Sequence, residues 1–339
     1  CMFQVKVLNQ EDTKKVLDMK EVIKTVEEVY RAKSAGDTEV FPLVFHEFQP
    51  GAADMDIKSG WLKSSNIFGL KLVSWFGDNV KKNLPALIGT VMIFDAGTGA
   101  PIGILDGSHI TGMRTGAAGA IGAKLLARKN SKKLLVVGAG HIAEFQVAAT
   151  LQCFPQLEEV MIYDGVDYAL AEKFTAQIEE KLHKNFGMEK VTAKFTAIKD
   201  IEEAVGMSDI VITVTPSRIP IVKKEWVQPG THFSCIGADM SGKEEIDPEI
   251  FANARVFADD IPQCINVGEI EIPVAQGILK KEDIAGEIGD ILTGKAIGRE
   301  SEEQITVFDA TGTALLDLLT GMLALQEAET KKIGQCIEL

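Results

Sequence analysis

The stretch KLLVVGAGHIAEF, residues 133–145, decides how this chain is read. An apolar strand runs straight into Gly138-x-Gly140-x-x-Ala143 and on into a helix. The first glycine allows a tight turn, the second lets backbone approach a pyrophosphate, and the small third residue lets the helix sit close to the strand. Gly-rich turns of this kind also occur without a ligand, so the neighbouring segments have to decide. The next strand, EEVMIYD, ends in Asp164, 24 residues beyond Gly140. An acid at that place accepts hydrogen bonds from the ribose hydroxyls of an adenosine and repels a 2′-phosphate, which favours NAD(H) over NADP(H). The alternative makes Asp164 a strand-end turn residue beside Gly165. The candidate cofactor contacts are thus Gly138, Gly140, His141, Ile142, Ala143 and Asp164, with Thr215 at the end of SDIVITVTP.

Outward from this stretch, short apolar strands alternate with amphipathic helical segments: EEVMIYDG, KVTAKF, SDIVITVTP, THFSCIGAD and ARVFADD. Such alternation marks a doubly wound parallel sheet. Upstream the rhythm differs. Residues 19–34 space Val22, Ile23, Val26, Val29 and Tyr30 along one helical face, and residues 40–106 are strand-like, with DAGTG as a turn between two apolar runs. Residues 110–128 are rich in Ala and Gly, and 313–329 form a largely apolar helix expected to return to the N-terminal β region. The expected fold is α/β: a Rossmann-type sheet over 121–308, inserted into a smaller α+β domain made of 1–120 and 309–339.

Composition narrows the function. Lys+Arg total 35 against 49 Asp+Glu, a net charge of −14, and no basic cluster exceeds KK, so nucleic acid and anionic membrane are not expected partners. The five cysteines (Cys1, Cys153, Cys235, Cys264, Cys336) are scattered without a C-x-x-C pair, which suits reduced thiols and a cytoplasmic protein. The five histidines show no metal-ligand spacing, and no metal is expected. The acidic runs KEEID (243–247) and ESEEQ (300–304) read as solvated faces.

One lysine, Lys71, interrupts the apolar run FGLKLVSWFGD (68–78), and lysine is seldom buried unpaired. GLKLVSWF, GAPIGILDGSHITGMRTGAAGAIGAKLLA, GAGHIA, IGADMSGKEEID and ITVFDATGTALLDL occur in this order and together resemble the ornithine cyclodeaminase/μ-crystallin family over nearly the whole chain. The resemblance implies a homodimer paired through the N-terminal β domains and NAD(P)-dependent chemistry at the α-carbon of an amino or imino acid. It also implies that Lys71 is the active-site lysine and that Arg114 lies on the arginine-bearing segment. Two such cations suit one carboxylate, Arg as a bidentate fork and Lys as a point charge. The alternatives are a Lys71 that snorkels at a strand edge and an Arg114 that pairs within its own helix. Asp239 follows the carboxyl end of THFSCIG, where ligands bind in open α/β sheets, and a carboxylate there can shuttle a proton; otherwise it is a helix cap, as Asp247 before Pro248 is expected to be.

The chain also departs from the family. Val44 stands where the cyclodeaminases carry an arginine, and Lys58 where they carry a glutamate 13 residues before the lysine. A cation at 58 disfavours the second amine of ornithine and favours a small or anionic side chain, although Asp56 on the same strand face can restore negative charge. The reading is an NAD(H)-dependent oxidoreductase acting at the α-carbon of a small L-amino acid or its imine. In it Lys71 and Asp239 are catalytic and Arg114, Lys58 and Lys71 bind substrate. The runner-up is ornithine cyclodeaminase itself, and a third reading is a non-catalytic μ-crystallin-like binding protein.

Overall fold

The computed structural model describes residues 3–339; Cys1 lies outside them. The chain divides into two compact units, one made of the residues up to Arg114 together with Thr313–Leu339, the other of Thr115–Gly312. The breaks fall six and four residues from the expected 120/121 and 308/309. One passes through the helix Gly107–Leu126, whose unbroken Ala/Gly composition gives no boundary signal. Among the described residues no helix is long and apolar enough to cross a membrane.

The inserted unit is built on eight parallel strands in the order Lys194–Ala197, Glu159–Tyr163, Lys133–Val137, Ile210–Thr213, His232–Cys235, Thr306–Asp309, Arg255–Ala258 and Gly286–Glu287. Residues 134–137 and 210–213 are wholly buried, as strands covered on both faces must be. Strand order reverses between Lys133–Val137 and Ile210–Thr213, so the crevice outside their carboxyl ends is the switch point where ligands bind in such sheets. The strand Thr306–Asp309 belongs to this sheet, and its first three residues lie within the expected 121–308.

The other unit carries a mixed sheet in the order Gln335–Glu338, Gln4–Leu8, Pro101–Asp106, Leu87–Asp95, Ile67–Phe76 and Ala53–Leu62, with Thr38–Val40 and Val44–Gln49 both paired to Ala53–Leu62. The helix Met19–Ser34 is capped by the Asp18 side chain and buries the face its spacing predicts. The helix Ala314–Lys331 returns onto this sheet across a glycine trough. A Cβ added at Gly60, Gly69 or Gly103 would come within 2.9, 2.7 and 2.6 Å of Leu315, Leu318 and Leu325 respectively. Gly60 pairs with Gly69, Gly69 with Ile93, and Ile93 with Gly103, so the three glycines share one face. Their missing side chains let the helix sit close enough to place Asp317 against the sheet.

Candidate active site

The inserted unit supplies a dinucleotide seat. Gly138 has φ +112, a left-handed value that favours glycine, and a Cβ there would meet Thr215 Cγ2 and the Val214 carbonyl at 3.0 Å. A Cβ on Gly140 would meet nothing within 4 Å. Gly140 opens the helix His141–Cys153, whose N-terminus no side chain caps, so the open space lies where the helix dipole favours an anion. Ala143 is fully buried against the sheet, Ile142 half-buried and His141 exposed, its ring edge-on to Phe145. These residues fit a pyrophosphate-bearing cofactor. Asp164 Oδ2 accepts from the Ala139 amide at 3.0 Å, and Oδ1 accepts from the Val166 and Asp167 amides. The carboxylate therefore does serve its turn, and it stands directly beside the glycine loop. A pocket of about 310 Å³ opens between Ala139–His141 and Leu170, Lys173 and Phe174 of the next helix.

Beyond the strand His232–Cys235, Asp239 is half-exposed and paired with Lys243 at 2.5 Å. It caps no helix; Asp247 does, accepting from the Glu249 amide. The loop is sewn down from two sides. Glu271 accepts from Ser241 Oγ and the Gly242 amide. Glu245 accepts from the Thr215 amide and hydroxyl at 2.6 and 2.8 Å and from the Gly237 amide at 2.9 Å. Thr215, expected to touch cofactor, thus spends its hydroxyl proton on Glu245 and turns its methyl to Gly138. Glu245 also corrects the sequence reading: KEEID is not a solvated face. Glu244 and Glu245 are buried in the short strand Glu244–Ile246, and burial pushes the Glu245 carboxyl up against the pull of its donors. Charge alone suggests exposure, whereas three converging donors make burial possible. ESEEQ, by contrast, is largely exposed.

In the other unit Lys71 and Arg114 meet, and neither follows its alternative reading. Both are buried, at 3% and 8% exposure, and both hold Asp317, which is wholly buried. Lys71 Nζ lies 2.9 Å from Asp317 Oδ2, and Arg114 Nε donates to Asp317 Oδ1 at 3.1 Å. The expectation that these cations await substrate for a partner is corrected: the returning helix already brings one. Burial, Arg114 and Lys58 push the Lys71 ammonium down to about 8, with Asp317 opposing them. Burial alone would raise the Asp317 carboxyl, but Arg114 and Lys71 hold it below its ordinary value. Lys58 sits directly across from Lys71 in the antiparallel register, so the two cations share a sheet face, while Asp56 pairs with Val73 two residues along. Val44 is half-exposed on a neighbouring strand. Asp317 is the residue sequence reasoning missed; its signal was an acid flanked by leucines in TALLDLL.

The family model for ornithine cyclodeaminase/mu-crystallin matches residues 4–332. The chain belongs to that family. Within it, the alanine dehydrogenase of Archaeoglobus fulgidus is 36% identical over 332 residues, 98% of each chain. A solved archaeal alanine dehydrogenase dimer with bound NAD gives a TM-score of 0.89 at 36% identity, covering 98% of this chain and 99% of the other. Thermococcus litoralis Δ1-pyrroline-2-carboxylate reductase, in complex with NADH and L-proline, gives 0.90 at 30% identity, covering 98% and 100%. The mixed α/β fold with its Rossmann-type sheet is the fold of these family members.

Proposed function

We propose that the protein is an NAD(H)-dependent oxidoreductase that moves hydride between nicotinamide C4 and the α-carbon of a small L-amino acid or its imine. The observation that carries this reading is the buried Lys71–Arg114–Asp317 cluster in a chain with an intact dinucleotide turn. Lys71 and Arg114 against Asp317 leave a net positive charge, to which Lys58 across the strand pair adds, and such a site suits a carboxylate. NAD(H), held by the 138–143 turn and Asp164, supplies the hydride acceptor or donor. Lys71 and Arg114 bind and orient the substrate carboxylate. Asp239, steadied by Lys243, moves the proton at the substrate nitrogen or an attacking water. Residues up to Arg114 with Thr313–Leu339 serve substrate binding and pairing, and Thr115–Gly312 serves the dinucleotide.

Two relatives support the substrate class, one an alanine dehydrogenase and the other a reductase crystallised with L-proline. Lys58 opposite Lys71 disfavours a substrate with a second amine and favours a small or anionic side chain. A homodimer accords with the archaeal alanine dehydrogenase dimer and with the exposed strand Val44–Gln49. A cytoplasmic location suits the free thiols Cys153, Cys235, Cys264 and Cys336. A panel of 2-oxo acids with ammonia and of cyclic imines, followed by NADH absorbance, tests the reading. NADH consumption with at least one small member is expected; none with any would overturn it.

A further inference from the structure

We infer that Asp317 is a positioning residue for substrate binding, holding Lys71 and Arg114 from the side of the returning helix so that their remaining donors meet one carboxylate. The inference rests on the proposed reading of those two cations as the carboxylate clamp.

The geometry is that of a bracket. Each carboxylate oxygen of Asp317 takes one cation, Oδ2 the Lys71 ammonium and Oδ1 the Arg114 Nε–H. Thr111 stands between them, its hydroxyl 3.4 Å from Lys71 Nζ and 3.5 Å from Asp317 Oδ1. Arg114 is thus fixed through Nε, which sets the plane of its guanidinium, and no hydrogen bond among the described residues uses its terminal nitrogens. An ammonium has three N–H donors. Thr111 takes one of these, and Asp317 Oδ2 holds the ammonium as an ion pair at 2.9 Å. What the bracket leaves over, the Arg fork and the remaining Lys71 N–H donors, is the donor set a carboxylate takes.

Charge gives the same result independently. The charged groups that face Lys71 are Lys58 from the neighbouring strand, Arg114 from its helix and Asp317 from the returning helix. Of these, Asp317 favours the ammonium, while burial, Arg114 and Lys58 oppose it. Without Asp317, Lys71 and Arg114 would lose the buried carboxylate that both hold, and Lys71 would shed its proton at lower pH. The bracket therefore decides both where the lysine points and whether it is charged.

The test is pyruvate binding to the NADH-saturated protein without ammonia, read by NADH fluorescence across roughly pH 6 to 10, where the pyruvate carboxylate stays ionised. In the wild type, affinity should hold below about 8 and fall above it as Lys71 loses its charge. Asp317→Asn should weaken pyruvate at least about tenfold at neutral pH and move the break to lower pH, while NADH affinity stays within about twofold. Loss of stability alone would not move that break. Wild-type affinity and an unmoved break in a folded Asp317→Asn protein would overturn the inference and leave the clamp standing. A wild-type protein that binds NADH but not pyruvate would overturn the clamp and the inference with it. Should Asp317→Asn fail to fold, Asp317→Glu decides. It keeps the charge but displaces both contacts, so a several-fold weaker pyruvate with the break near its wild-type place supports the bracket, and unchanged affinity overturns it.

Discussion

Asp317 stands 2.9 Å from the Lys71 ammonium, and both side chains are withdrawn from solvent. A lysine so placed is held by its partner, so it is available for anion binding only while the returning helix keeps its seat.

Gly69→Ala should disturb that seat. Its Cβ would fall 2.2 Å from the Met92 carbonyl and 2.7 Å from Leu318 Cδ2, and backbone cannot give way cheaply. Overpacking of this kind costs about 1–3 kcal/mol. Calorimetry should show a melting temperature lowered by several degrees, with turnover reduced more than NADH binding. An unchanged melting temperature would contradict the close packing described for Ala314–Lys331.

Lys71→Ala should lower kcat/KM by a factor of about ten to a hundred, from the loss of a charge-assisted hydrogen bond of about 1.5–3 kcal/mol. NADH titration should be nearly unchanged, since the turn residues and Asp164 belong to the inserted unit. Lys71→Arg should not restore activity, because a planar fork cannot take the place of a compact ammonium on Asp317. Normal turnover in a folded Lys71→Ala protein would remove the lysine from the mechanism.

Asp164 should set cofactor choice. NAD(H) should be preferred over NADP(H) by about tenfold or more, equivalent to about 1.4 kcal/mol. Asp164→Ser should narrow the preference. It should also weaken NADH itself, because Asp164 holds the Ala139 amide of the glycine turn. Equal use of both cofactors by the wild type would contradict this assignment.

Pairing of two copies should bury the strand Val44–Gln49, which is exposed at every position and carries Phe45 and Phe48. Such a strand needs covering. Sedimentation should show a dimer, and Phe48→Asp should shift it toward monomer. A stable wild-type monomer of 36.7 kDa at micromolar concentration would contradict the pairing.

Much of this was legible in the sequence because local pattern carried it. The alternation of strand and helix gives the parallel sheet, and two glycines with an acid 24 residues on give its crevice. What stayed hidden depends on partners distant in the chain. Nothing near Asp317 announces that Lys71 and Arg114 converge on it, more than 200 residues back. Glu245 hides for the same reason: KEEID carries the composition of a solvated run, and only the folded chain brings Thr215 and Gly237 to it. The edge strand Gln335–Glu338 pairs with Gln4–Leu8 from the other end of the chain, and Gln4–Leu8 pairs in turn with Pro101–Asp106, so neither is recognisable alone.

Hydride transfer to the α-carbon can be followed with the isotope itself. NADH deuterated at the transferable C4 position is supplied with pyruvate and ammonia, or with Δ1-pyrroline-2-carboxylate, and the amino acid formed is examined by mass spectrometry and NMR. Net NADH oxidation with deuterium on the α-carbon of the L-amino acid is the expected result. No net NADH oxidation with either substrate, together with redox-neutral release of ammonia from ornithine, would contradict it.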